Sequence, residues 1–476
     1  MTVDMISNLI STNPRSLPRS LSLGSTLVAA LVLAGCTSLA PRHERPAAPV
    51  PAELPLPASL AASAPASAAS TAWPDFLRSA PLQQLVKLSL ERNRDLRLAV
   101  LNVQRAQAQL GVTRADRLPT VGVGLTQSAT PSGGSTVRSY TAGLQVSGWE
   151  VDLFGRLANL GEAAQAQVLA SEAGRRSAEL ALVAGVASSW LTLAADTDLL
   201  ASTSRLVESR EASMKLAQLR FDKGAASSLE LQSARTLLEQ ARAARAQLQR
   251  QRDQDLNALT LLAGGPVPAE LLPTASTSAM AGDTLAPVPV GLSSQVLLQR
   301  PDVIEAEQQL VAANANIGVA RAAFFPRLTL TASAGQASTS LSDLFNAGQF
   351  AWTMSSQLLA TVFDAGRNKA NLEGAKIARD IAVTQYEKAV QSAFRDTADA
   401  LAGLDTWRDQ LAAQQTQLDA IRETARLTDL RYQNGAASEL ERLDAQRSLL
   451  SAEQALVQVR LGEQLNRVAL WKVLGG

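Results

Sequence analysis

Two hydrophobic periodicities alternate along this chain, and their order recurs. Leu82 to Arg117 carries apolar residues at helical spacing and stops before Pro119, which predicts a helix. Val121, Val123 and Leu125 then alternate with Gly and Thr. Beyond a Gly/Ser/Thr-rich stretch at Gln127 to Ser139, Tyr140, Ala142, Leu144 and Val146 alternate with Thr, Gly, Gln and Ser. Period two with one apolar and one small or polar face predicts a strand on each side of a loop. Gly155 to Lys223 contains no Pro and few other breakers. At 1.5 Å per residue it predicts a helix of roughly 100 Å, deeper than an ordinary globular core. Gly224 ends it, and a return helix sets Leu231, Ala234, Leu238, Ala241 and Leu248 at coiled-coil spacing. Arg242, Arg245, Gln247, Gln249 and Arg250 fill the faces that meet water.

The same order of elements is written a second time. Arg220-Phe221-Asp222-Lys223-Gly224-Ala225-Ala226-Ser227 returns as Arg431-Tyr432-Gln433-Asn434-Gly435-Ala436-Ala437-Ser438, a shift of 211. Gly155-Arg156 maps on Gly366-Arg367 and Gly264-Gly265 on Gly475-Gly476 with that shift. Upstream the shift is 207, carrying Asp95 onto Asp302, Gly111 onto Gly318 and Pro119 onto Pro326. A net insertion of four residues therefore falls between Pro326 and Gly366, and Gln336 to Gln349 is the expected loop, because insertions settle where backbone is exposed. Leu328, Leu330, Ala332 and Ala334 repeat the strand pattern, and Phe350, Trp352 and Met354 start its partner. Ala445, Leu449, Ala452, Leu456 and Val459 repeat the helical seam. The copies span residues 73–270 and 293–476, with a linker at 271–292.

Strands with two unlike faces fit a membrane barrel or a soluble sheet; these approach the length a tilted strand needs to cross a bilayer. In lipid, four strands leave two open edges whose backbone groups must be paired, so a membrane reading requires oligomerisation. Two chains are the minimum for a barrel, and three give twelve strands.

Charge narrows the partners: 44 Lys and Arg stand against 43 Asp and Glu, leaving no basic surplus for nucleic acid. One Cys, Cys36, and one His, His43, exclude Cys/His nucleophile pairs, Ser/His/Asp triads and Cys/His zinc sites from the body of the chain. No metal site and no catalytic constellation is expected. Both residues lie in an N-terminal region that reads as an address. Arg15 and Arg19 precede the apolar run Leu21 to Leu33, and Leu33-Ala34-Gly35-Cys36 resembles the bacterial lipobox. Residues 1–35 are thus expected to be a lipoprotein signal peptide. A covalent lipid on Cys36 is the only non-protein group expected. Thr37, where an inner-membrane retention signal has Asp, fits the outer membrane. Residues 36–72 are rich in Pro, Ala and Ser and are expected to run as an extended tether with His43 solvated.

An ordered set of motifs now carries a family likeness. Trp149-Glu150-Val151-Asp152-Leu153-Phe154-Gly155-Arg156, Gln299-Arg300-Pro301-Asp302, Ala312 to Pro326, Phe363-Asp364-Ala365-Gly366-Arg367 and Leu443-Asp444-Ala445-Gln446-Arg447, together with Cys36, resemble the NodT-type efflux lipoproteins of the TolC-like outer membrane factor family. The resemblance covers essentially the whole mature chain. It implies a homotrimer in the outer membrane of a Gram-negative bacterium. Its fold class would be mainly α with a membrane β-barrel: two tandem repeats of helix, two strands and two long helices, closing into twelve strands and a periplasmic barrel of twelve helices. The implied partners are a periplasmic adaptor and an inner-membrane pump, commonly of the resistance-nodulation-division type.

Each motif also has a plain structural reading. Pro301 and Asp302 suit the first turn of a helix. Phe324-Phe325-Pro326 and Phe363 to Gly366 suit helix–strand junctions. The likeness further implies a periplasmic tip at Gly224 and Gly435, with Leu440 and Asp444 facing the axis as an apolar plug and an anionic collar, and Glu441 between them. Tyr432 and Glu230 fall where some relatives lock the closed state, although Ala437 replaces an Arg of that lock. A coiled-coil envelope scaffold, or the adaptor itself, is the competing reading.

Overall fold

The computed structural model describes residues 38–56, 71–275, 284–291, 293–346 and 348–476. Cys36 and the signal segment lie outside the described residues. The described chain divides into two compact units. One holds residues 38–43, 109–165 and 311–380; the other holds 44–108, 166–310 and 381–476, without the positions just excluded.

The first unit is built on a single antiparallel sheet in the order β1-β2-β3-β4. Its strands are β1 (Val121–Ser132), β2 (Ser135–Val151), β3 (Arg327–Ser338) and β4 (Phe350–Leu359). The register sets the rows Val121–Val146–Ala332–Met354 and Val123–Leu144–Ala334–Trp352 on one face. On the other face lie Gly122–Gln145–Ser333–Thr353 and Gly124–Gly143–Gly335–Ala351. The apolar face is uncovered within the chain, with Val123 84% and Trp352 69% exposed. Gly143 and Gly335 face each other where the two copies join. A side-chain carbon on either would run into the opposing backbone at Ala334 or Ala142. A bulge at Ser147-Gly148 shifts the β2–β3 register between Val146 and Trp149.

The stretch expected as a loop at Gln127 to Ser139 is strand, apart from the turn at Gly133-Gly134. Thr and Ser read as loop residues by composition, yet here they pair across the hairpin, Ser128 with Ser139 and Thr130 with Val137. In the second copy residues 339–346 and 348–349 are a genuine loop, and Leu344 is buried there.

Seven helices of at least three turns complete the described chain. They are α1 (Ala80–Arg92), α2 (Arg94–Ala115), α3 (Arg156–Asp222), α4 (Ser228–Ala263), α5 (Pro301–Ala322), α6 (Arg367–Gln433) and α7 (Glu439–Val473). Both α3 and α6 run for 67 residues. The core of the second unit gathers Phe76, Leu82, Leu85, Leu191, Leu259 and Trp471, with Phe76 stacked on Trp471 at 5.2 Å. Further along the hairpins the core thins to Val207, Leu238 and Ala241 in one copy and Leu418, Ala452 and Leu456 in the other. Ala on these seams lets backbones approach, as the coiled-coil spacing predicts.

Leu82 to Arg117 is not one helix. Buried Asn93 interrupts it: its side-chain oxygen accepts from the Leu96 N–H at 3.0 Å and its amide donates to the Leu262 carbonyl at 3.0 Å. A side chain that caps one helix and ties down the end of another compensates the lost helical turn. At the equivalent place in the second copy, the Arg300 guanidinium donates to the Val473 carbonyl at 3.3 Å and to Asp302 at 2.7 Å. Leu262 and Val473 are separated by 211, the repeat shift.

The described part of the tether, residues 38–56, is docked on the rest of the chain. Leu54 is buried in the second unit against Val290, Leu297 and Tyr386, and Arg45 grips Glu307 through two bonds of 2.7 and 2.8 Å. In the first unit Ser38 donates to Asn159, and the Leu39 and Pro41 carbonyls accept from Arg321 and Asn314. Pro-rich composition excludes a core of its own but not docking on another, because extended backbone offers carbonyls to long polar side chains. His43 is exposed.

Candidate functional site

The two helical hairpins end in turns of the same design. Gly224 (φ 72°) and Gly435 (φ 73°) occupy the left-handed region that stops α3 and α6. The Gly224 and Ala225 N–H groups return to the Phe221 and Arg220 carbonyls, and Gly435 and Ala436 repeat this toward Tyr432 and Arg431. Each following helix starts with a capping box: Ser227 with Glu230, and Ser438 with Glu441. Glu230 accepts the Ser227 N–H at 2.9 Å and Glu441 the Ser438 N–H at 2.7 Å. These bonds from Ser438 hold the Glu441 carboxyl below the usual carboxylate range. Both glutamates are engaged in starting their helices, a local reason for residues first singled out for an axial or locking role.

Tyr432 is engaged by groups the sequence reading did not single out. Arg442 lies over its ring, 4.7 Å from the centre, and grips the Glu439 carboxylate at 2.5 and 3.0 Å. The Tyr432 hydroxyl donates to the same carboxylate, which, with burial, raises the phenol. Burial would raise Glu439 too, but the bonds from Arg442 and Tyr432 outweigh it and hold the carboxyl down. The Glu439-to-Arg442 spacing of three is the signal available in the sequence, since it places both on one helix face.

Leu440 is 69% exposed and Asp444, one turn on, pairs among the described residues with Arg447 of its own helix at 3.1 Å. Tyr432, Leu440 and Glu230 line one cavity of about 250 Å³ at the tips, while Glu441 and Asp444 stand outside it.

This set of helical tips and a two-faced sheet can be compared with known proteins. The sequence model of the outer membrane efflux protein family matches residues 85–265 and 292–476. The chain belongs to the outer membrane efflux protein family. It is 44% identical over 465 residues to the probable efflux pump outer membrane protein TtgC of Pseudomonas putida, covering 96% of this chain and 95% of the relative. It is 39% identical over 452 residues to the probable outer membrane lipoprotein SilC of Salmonella typhimurium, covering 94% and 97%. Among solved structures, the open state of the MtrE outer membrane channel of Neisseria gonorrhoeae aligns with a TM-score of 0.83 at 36% identity, over 92% of this chain and 98% of that one.

This outer membrane efflux protein thus has the TolC-like fold and is an outer-membrane channel component of an efflux pump. Its family is one of transport channels. The uncovered apolar rows of its sheet find their place in lipid, and the small and polar rows toward the lumen. Family membership sets aside the scaffold and adaptor readings.

Proposed function

We propose that the chain forms, as a homotrimer, the passive exit duct of a tripartite efflux system. The observation that carries this reading is the sheet order: β1 and β4 are its outer strands, each with one edge unpaired among the described residues. Three copies joined β4 to β1 leave no edge, and the apolar rows then form a continuous outer band. The long helices extend the duct into the periplasm, where an adaptor and an inner-membrane pump, of the resistance-nodulation-division type, spread the tips. The pump supplies the energy, and the chain performs no catalysis.

At the mouth, Leu440 and Asp444 from each copy ring the axis. Their exposure in the single chain supports this placement: a Leu projecting into water costs free energy unless an assembled neighbour covers it. Lipidation of Cys36 adds to the hold of the barrel, since one acyl chain alone retains a protein only marginally and an added membrane-inserted surface holds it firmly. The relative SilC, named a lipoprotein, supports that reading.

Imaging of the detergent-solubilised particle tests the assembly. A hollow cylinder with threefold symmetry, longer than a bilayer is thick, is the expected result. A compact globule, or a monomer soluble without detergent, overturns it.

A further inference from the structure

The cavity at the helix tips has a lining that, Leu440 apart, the duct reading does not use. Leu216 of α3, Leu229 and Leu237 of α4, and Leu440 and Leu443 of α7 give it apolar walls. Arg210 of α3 also lines it and is only 4% exposed. Among the described residues its Nη1 has no hydrogen-bond partner. A buried donor left without a partner is costly, and pairing it on binding removes that cost. Burial and the nearby Arg442 push the Arg210 guanidinium down from its usual value against the smaller opposite pull of Glu439, and an arginine does not give up its proton near neutral pH.

The other charges of the wall are already engaged. Arg442 is held by Glu439, and Glu230 by the Ser227 N–H. Arg220 adds a second positive charge at the exposed rim. What remains is a positive apolar pocket with the Arg210 side chain in its wall.

We propose that this cavity binds a small amphipathic monocarboxylate, with the carboxylate on Arg210 and the apolar body among the leucines of both hairpins. A carboxylate matches the forked guanidinium donors, and an apolar body replaces water along the leucine walls. An occupant touching α3, α4 and α7 together favours whichever tip arrangement keeps them adjacent, and so opposes spreading. That effect on conduction rests on the duct reading; the binding itself does not.

The test is calorimetric titration of the full-length protein in nanodiscs with 4-phenylbutyrate, against empty nanodiscs and against neutral 4-phenylbutyramide. Saturable binding of the acid at one site per chain is expected, with the amide at least tenfold weaker. Arg210→Gln should weaken the acid at least tenfold while leaving the melting temperature unchanged or higher, because a buried charge with an unpartnered nitrogen is removed. Ala217→Phe, which narrows the cavity and leaves every charge in place, should also abolish binding. Equal affinity of Arg210→Gln and wild type, equal binding of acid and amide, or no saturable binding of the acid overturns the site. A lowered melting temperature in Arg210→Gln assigns Arg210 to holding the hairpins and likewise overturns it. Channel conductance in the same samples then separates loss of binding from failure of the duct reading.

Discussion

The Arg442 guanidinium lies 4.7 Å above the centre of the Tyr432 ring while its nitrogens hold Glu439, so one arginine ties the end of α6 to the start of α7. Hydrogen bonds to charged groups are worth about 1.5–3 kcal/mol, and partial exposure reduces this to about 1 kcal/mol here. Arg442→Ala should therefore raise the open fraction of single channels in planar bilayers roughly fivefold if the closed tip uses this network. Tyr432→Phe, which removes only the hydroxyl, should act in the same direction and more weakly. Unchanged open fractions in both variants would show that the network merely shapes the turn.

The same network predicts an effect of acid. Glu439 is held below its ordinary value, so its contribution is complete above that value and is lost as pH falls through the depressed one. Open probability should rise as the periplasmic-side buffer is acidified into the carboxylate range. Glu439→Gln should remove that dependence. Its persistence in the variant would assign it to another group.

Asp444 has a carboxylate in water with Arg447 as its only close ion-pair partner among the described residues. Asp444→Ala should lower the cation-over-anion permeability ratio of the reconstituted pore severalfold with little change in melting temperature, since surface ion pairs add little stability. A ratio equal to wild type removes Asp444 from the conduction path.

Asp196 on α3 is 7% exposed and sits beside Asp255 on α4. Burial, then the hydrogen bond and charge of Asp255, push it up to about 7. The folded state thus takes up a proton that the unfolded chain lacks between the ordinary carboxylate value and about 7. Its contribution is full at the acid end of that window and declines as pH rises through about 7. Asp196→Asn, which imitates the protonated form, should melt at a higher temperature than wild type at pH about 8 and near the wild-type temperature at pH about 5. Identical thermal shifts at both pH values would contradict a shared proton.

Asn93 and Arg300 perform one task with different chemistry, each securing the last helix of its own copy by a carbonyl 211 residues from the other. Asn93→Ala strands a buried carbonyl and removes a cap, a loss of about 1–3 kcal/mol. Thermal unfolding should show a lower midpoint for Asn93→Ala and for Arg300→Ala.

Much of this architecture was legible because the chain states it twice. The 67-residue helices, the glycines that end them and the two-faced strands all follow from periodicity and an aligned repeat. The break at Asn93 was missed, although the repeat held the clue: α5 begins at Pro301, and the shift of 207 leads from there to Arg94, where α2 begins. The full strand lengths were hidden by Ser and Thr, whose composition suggests a loop and whose pairing in the hairpin depends on a partner strand. At the tip, Gly224 and Gly435 were readable because only a left-handed residue ends such helices compactly. Arg210 was not readable, because its significance lies in a bond it lacks, and that emerges only when two hairpins are packed side by side.

The sheet order carries a consequence for how the duct is made. At the β2–β3 junction, where Gly143 meets Gly335, the chain joins one copy of its unit to the other. The proposed ring of six such units has six joints, and fusing them in pairs makes half of those joints intramolecular. Their formation is then independent of protein concentration and gains the effective molarity of a linked pair. A half-length ancestor would have had to collect six loose pieces at a membrane surface; this chain arrives with every second joint already formed, and its stoichiometry is built into its length.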